Sequence, residues 1–127
     1  MYAIYLNVKD RKSPEIIEFV DELDTFYKLI KCDTIDIVYR RINGRYYNII
    51  CDDCGLLKKN PIISAVDEKQ KPALFGNLII AGEADFDGEL MGITLEDATR
   101  LLKNSFYNAV VSNYKEKPIM YTVLEID

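Results

Sequence analysis

Thr34-Ile-Asp-Ile-Val-Tyr-Arg-Arg-Ile-Asn-Gly-Arg-Tyr-Tyr-Asn-Ile-Ile-Cys51 is the stretch whose reading decides the fold. Two runs rich in β-branched and aromatic residues flank Asn43-Gly44, a dipeptide that accepts positive φ at both central positions of a type I′ turn. A two-residue loop then sets the register: Ile37 faces Ile50, Val38 faces Ile49, and Arg40 lies opposite Tyr47. The face carrying Ile35, Ile37, Tyr39 and Ile50 is expected to be buried, and the face carrying Asp36 and Arg40 to be partly wet.

Working downstream, Asp52-Asp53-Cys54-Gly55 is a turn, and Gly55-Leu56-Leu57 reads as the strand that leaves it. Pro61 to Val66 is a short extended piece, followed by a charged loop from Asp67 to Pro72. Leu74 to Ala81 is apolar almost throughout, so it is expected as one central strand. Glu83 to Gly92 is acidic, with Gly82, Gly88 and Gly92 in or beside it, and reads as a loop. Thr94-Leu-Glu-Asp97 is a capping signature, its hydroxyl available to an N–H one turn on. Ala98, Leu101, Leu102, Ser105 and Phe106 supply one face of the helix it opens, and Ile119 to Ile126 is a closing strand.

Upstream, Tyr2 to Val8 is a strand and Lys9 to Ser13 a polar turn. Two readings compete for the segment between Ser13 and Lys31. Ser13-Pro14-Glu15 has the form of a helix start, and Ile16, Phe19, Val20, Leu23, Phe26, Tyr27 and Ile30 recur at helical spacing, so periodicity favours one long helix. In the other reading Glu15 to Val20 returns as a strand against residues 2–8, Asp21 caps, and the helix runs from Glu22 to about Lys31.

Length and composition bound the function. The 127 residues suit one domain with its own core, and 49% hydrophobic against 29% charged residues is the balance of a folded globular chain. No run resembles a signal peptide or a membrane span, and three cysteines cannot all pair, so a reducing, cytoplasmic setting is the simpler expectation. With no histidine, Ser-His and Cys-His nucleophile systems are excluded. A net charge of −5 argues against broad nucleic-acid binding.

Leu23-Asp-Thr-Phe-Tyr-Lys-Leu-Ile30, Thr34-Ile-Asp-Ile-Val38 and Ile50-Cys-Asp-Asp-Cys-Gly-Leu-Leu57 form one block of pattern. Gly76-Asn-Leu-Ile-Ile-Ala-Gly82 followed by Ile93-Thr-Leu-Glu-Asp97 forms another. In this order and spacing, over roughly residues 20–106, the chain resembles the bacterial and phage proteins grouped as domain of unknown function 3846. The resemblance implies two short strands before the first helix, which supports the strand-then-helix reading of residues 14–20. It also implies an acidic residue at the position of Cys54, and an asparagine and arginine where Pro61 is here followed by Ile62-Ile63-Ser64. No activity or cofactor comes with it; a phage or mobile-element setting does.

The candidate sites each have a plainer reading. Cys51-x-x-Cys54 is a lone pair with only Cys32 and neighbouring aspartates to complete a metal site, so a turn that holds two thiols explains it better. Glu83-x-Asp85-x-Asp87-Gly88 matches half of a calcium loop, but Thr94 stands where the bidentate glutamate belongs. Glu83, Asp85, Asp87, Glu89, Glu96 and Asp97 are six carboxylates with no basic residue among them, a surface suited to a basic partner if it is more than a solvated loop. Arg40, Arg41 and Arg45 beside Tyr46 and Tyr47 make a basic hairpin tip, readable either as a nucleic-acid contact or as a charged, protected edge.

The expected fold is α+β: a mostly antiparallel sheet of about five or six strands with two helices covering one face. The expected function is that of a non-enzymatic interaction protein acting on a host protein, with no cofactor and no membrane or nucleic-acid partner. The alternative is a carboxylate-based metal- or ligand-binding domain or enzyme using Asp85, Asp87 and Glu89. Nothing in the residues specifies the oligomeric state.

Overall fold

A computed structural model describes residues 1–55, 61–111 and 117–127. Among these residues the elements run β1 (Tyr2–Leu6), β2 (Glu15–Glu18), α1 (Leu23–Ile30), β3 (Ile35–Ile42), β4 (Arg45–Asp52), β5 (Ile63–Val66), β6 (Pro72–Phe75), β7 (Leu78–Ala81), α2 (Leu95–Asn104), β8 (Phe106–Val111) and β9 (Ile119–Glu125). The fold is α+β and its pairing mostly antiparallel, as the sequence led one to expect. The strands divide between two sheets, ordered β2-β1-β7-β4-β3 and β6-β5-β9-β8, with β5 and β9 the parallel pair.

The two helices lie on opposite faces of the five-stranded sheet, not together on one. Side chains alternate across a strand, so Ala3 and Tyr5 of β1, Ile50 of β4 and Ile79 of β7 share one face, where Phe26 and Ile30 of α1 cover them. Ile4 and Leu6, Ile49 and Cys51, and Leu78 and Ile80 face the other way. There they meet Ala98 and Leu101 of α2 together with Ala65, Val123 and Leu124 of the second sheet. A central strand buried on both sides needs a cover on each, and the helices are accordingly separated.

The hairpin has the expected register, including Ile37↔Ile50, Val38↔Ile49 and Arg40↔Tyr47. Asn43 has φ 49° and Gly44 φ 84°, the positive values of the turn. The Asp127 carboxylate clasps this turn, accepting from the Asn43 N–H at 3.1 Å, the Gly44 N–H at 2.8 Å and Arg41 Nε at 2.9 Å. The face carrying Asp36 and Arg40 is partly wet as expected, both side chains being exposed, but the other face is less buried than expected. Ile37 and Tyr39 are 45% and 49% exposed, because β3 is an edge strand and the eight-residue α1 reaches only Ile35 and Ile50 on that side. On the other face Ile42, Tyr47, Ile49 and Cys51 are buried.

Residues 14–20 take the strand-then-helix form. Ile16 and Ile17 pair with Ile4 and Ala3, and α1 begins after Glu22, which makes no side-chain cap; the long helix and the Asp21 cap are both set aside. Pairing satisfies the backbone of residues 15–18 in a way that helical periodicity does not register. α1 ends at Lys31, at φ 60°, where Lys9 Nζ donates to the Ile30 and Lys31 carbonyls at 3.3 and 2.7 Å.

The run Leu74 to Ala81 is two strands, one in each sheet. Gly76, at φ 82°, turns the chain between them and donates its N–H to the Ile62 carbonyl at 2.7 Å. Asn77 is wholly buried and fully used: Nδ2 donates to the Leu29 carbonyl at 3.1 Å and to the Tyr5 hydroxyl at 3.4 Å, and Oδ1 accepts from the Lys9 N–H at 3.0 Å. Phe106, expected on the helix, opens β8, an element not expected. Leu56-Leu57 lies outside the described residues, among which no helix is long and apolar enough to cross a membrane.

A Cβ added at Gly44 would meet nothing within 4 Å, so a substitution there tests backbone conformation alone. Gly44→Val is expected to cost about 1–2 kcal/mol through the positive φ, lowering the melting temperature. An unchanged melting temperature would count against the type I′ turn.

Candidate functional site

Where β7 ends, the chain makes a loop whose two ends are pinned to each other and to β1. The Gly82 N–H donates to the Met91 carbonyl at 2.8 Å, and Ile93 exchanges two backbone bonds with Tyr2, at 2.8 and 2.7 Å. Gly92 is needed for close approach: a Cβ there would lie 2.7 Å from Met1 Cβ and 2.8 Å from Phe19 Cβ. Within the loop Asp85 makes the turn. Its Oδ1 accepts from the Asp87 and Glu89 N–H groups, both at 2.9 Å, while its own N–H donates to the Glu89 carbonyl at 2.8 Å. Phe86 rides on this turn fully exposed, at 107%.

The six carboxylates of the acidic run have different surroundings. Glu83, Asp87 and Glu89 are exposed on the loop, and Asp85 is exposed but organises the turn. Glu96 is exposed in the first turn of α2, near the positive end of the helix dipole. Asp97 is turned inward. Tyr47 Oη donates to its carboxylate at 2.9 Å from each oxygen, and Arg100 Nε and Nη2 donate to Oδ1 at 3.1 and 2.9 Å. Arg45 approaches the same oxygen at 3.4 Å, and Arg100 Nη2 also donates to the Tyr47 hydroxyl. Thr94 caps α2 as expected, its hydroxyl accepting from the Asp97 N–H at 3.1 Å.

This network floors a groove of about 600 Å³ between the hairpin tip, the base of the acidic loop and the start of α2. Met1, Arg45, Tyr46, Glu83, Thr94 and Asp97 line it. Tyr46 stacks on Tyr39, ring centroids 5.0 Å apart at 12°. The Tyr39 phenol ionises above its ordinary range, through partial desolvation first and the neighbouring Glu83 carboxylate second. Composition pointed to the acidic run and the hairpin tip separately; their meeting around Asp97 depends on tertiary structure that no local pattern encodes.

Tyr47 is pushed up to about 12, by burial first and then by its bond to Asp97, so it keeps its proton. Cys51 is buried in β4 with its thiol also pushed up to about 12, by burial and then by Asp36 and Asp52, which makes it a poor nucleophile. None of the cysteines forms a disulfide. Among the described residues no group of three or more Cys, Asp or Glu side chains is placed to hold a metal ion, and Asp85, Asp87 and Glu89 do not converge on one.

In comparison with known proteins, the family model described as a domain of unknown function (DUF3846) matches residues 1–106. No curated protein and no solved structure gives a match.

The Tyr47 shift has a stability consequence. The folded value, about 12, lies above the ordinary 10.0, so the contribution is intact below pH 10 and is lost as pH rises toward 12. Tyr47→Phe is expected to remove one late-ionising tyrosine from the tyrosinate absorbance titration and to flatten the alkaline limb of stability over that range. At neutral pH it should cost about 1–2 kcal/mol, since Asp97 and Arg100 lose a buried partner.

Proposed function

The chain belongs to the DUF3846 family, and on that premise we propose a non-catalytic protein-binding module of phage or mobile-element type that docks its acidic loop on a basic surface of a host protein. The observation that carries this reading is Phe86, a fully exposed aromatic ring on a loop held by its own backbone bonds. A preorganised aromatic anchor costs little entropy to bind, and such residues dominate interface energetics. Glu83, Asp87 and Glu89 around it supply charge of one sign, which speeds encounter with a basic partner. Asp97 and Glu96 support the start of α2 beneath.

The alternative, a carboxylate-based metal- or ligand-binding domain or enzyme, draws its support from the groove of about 600 Å³. A divalent-ion-dependent thermal shift would favour it.

The test is capture of a partner from a host lysate, followed by binding kinetics. Phe86→Ser is expected to weaken the complex about 30-fold, as loss of a hot spot does. Changing Glu83, Asp87 and Glu89 together to their amides keeps the Asp85 turn and should slow association at low salt, with the difference fading as screening increases. If both variants bind at the wild-type rate, the loop is only a solvated surface.

A further inference from the structure

Among the described residues the sheet edges are β2, β3, β6 and β8. β2 and β6 are four residues long, and β6 opens on Pro72, both ordinary protections. β8 has six residues and, like β3, neither a proline nor a bulge in its register, but β3 is the longest of the four edges at eight residues. The two-residue turn sets which of its backbone groups are free. Ile42 and Arg45 flank the loop as a hydrogen-bonded pair, so the groups of Ile42, Arg40, Val38 and Asp36 point at β4, and those of Ile35, Ile37, Tyr39 and Arg41 point outward.

Three of these outward groups are met by improvised partners. The Ile37 N–H donates to the Asp36 carboxylate at 2.8 Å, and the Tyr39 carbonyl accepts from Arg40 Nη1 at 3.0 Å. Near the turn, the Arg41 carbonyl accepts from the Asp127 N–H at 2.9 Å. The first two are bonds within the strand, made by exposed side chains adjacent to the groups they cap.

We infer that β3 pairs with β3 of a second copy of this chain, antiparallel, on a two-fold axis through Val38. The segment Asp36-Ile-Val-Tyr-Arg40 is self-complementary about that centre. Ile37 and Tyr39 of one copy exchange backbone bonds with Tyr39 and Ile37 of the other. Asp36 and Arg40, released from capping, lie directly opposite Arg40 and Asp36, so each strand brings the charge its partner needs. Opposite-signed pairs occur on both sides of the axis in this register. Sliding the strands by two residues loses them. The exposed Ile37 and Tyr39, 45% and 49% accessible, gain apolar neighbours on one face. The ladder stops at Arg41, whose carbonyl the Asp127 amide already holds, and the two five-stranded sheets become continuous.

Sedimentation equilibrium and charge reversal test this. The wild-type chain is expected to dimerise reversibly. Asp36→Arg and Arg40→Asp, each placing like charges opposite, should weaken the dimer roughly tenfold or more, and the double variant should restore it. Val38 sits at a non-hydrogen-bonded site on the axis, where facing Cα atoms are about 4.5 Å apart. Val38→Cys should therefore give, on mild oxidation, a covalent dimer whose peptide map joins the two introduced thiols. This arm reads the geometry even if a charge variant folds poorly. A wild-type chain that stays monomeric up to its solubility limit overturns the inference. So does a dimer that ignores both reversals and yields no such cross-link.

Discussion

Everything in this structure answers to the burial of one short strand. Leu78, Ile79, Ile80 and Ala81 of β7 are all 0% or 1% exposed, hydrogen-bonded to β1 on one side and β4 on the other. A strand dry on both faces commits its sheet to two covers. α1 provides one with Phe26 and Ile30; the second sheet and α2 provide the other. Burying Leu78, Ile79 and Ile80 contributes about 1.5–3 kcal/mol each, so together these three side chains are worth more than any polar contact nearby. The strand's ends then need polar closure. Asn77 provides it at the start, tying the end of α1 to β1, and the Gly82–Met91 contact provides it at the finish.

The polar residues are read best by what each side chain touches. The acidic run looks uniform in sequence, yet Asp85 shapes a turn, Asp97 joins a helix to a hairpin through Tyr47 and Arg100, and Glu96 sits at a helix start. Glu83 lines the groove next to Tyr39, and Asp87 and Glu89 remain exposed on the loop that carries Phe86. The cysteine pair resolves in the same way. Cys51 belongs to the core, with its thiol held protonated by burial, whereas Cys54 is half-buried in the following turn.

Much of the fold was legible where a residue's conformational limits act locally. Asn43-Gly44 dictates the hairpin and its register, and Thr94 the start of α2, because both work over a few bonds. The break at Gly76-Asn77 carried a signal, since Gly-Asn is a turn-prone pair, but the apolar run around it suggested one strand. The strand Phe106–Val111 was hidden by its first residue, which continues the helical spacing of Ala98 and Leu101. The covered face of β3 was not legible at all. Alternation shows that Ile37 and Tyr39 share a side with Ile50, but whether a helix long enough to shelter them exists is decided elsewhere in the chain. The groove has the same origin, drawing its walls from residues 1, 44–47, 82–83, 92–94 and 97.

The position of β7 also governs the order in which the chain can assemble. On a ribosome β1 and the β3–β4 hairpin emerge well before the strand that must lie between them. Until residues 78–81 are made, β4 has β3 on one side and nothing on the other, although Tyr47, Ile49, Ile50 and Cys51 are all destined for the core. The second sheet waits longer still, because β5 acquires its parallel neighbour β9 only at residues 119–125. Pairings between such distant segments form slowly and leave apolar edges open to association in the interval. The nascent chain thus keeps apolar surface open from the completion of β4 until α2 and β9 arrive, the window in which a chaperone or a translational pause would have most to protect.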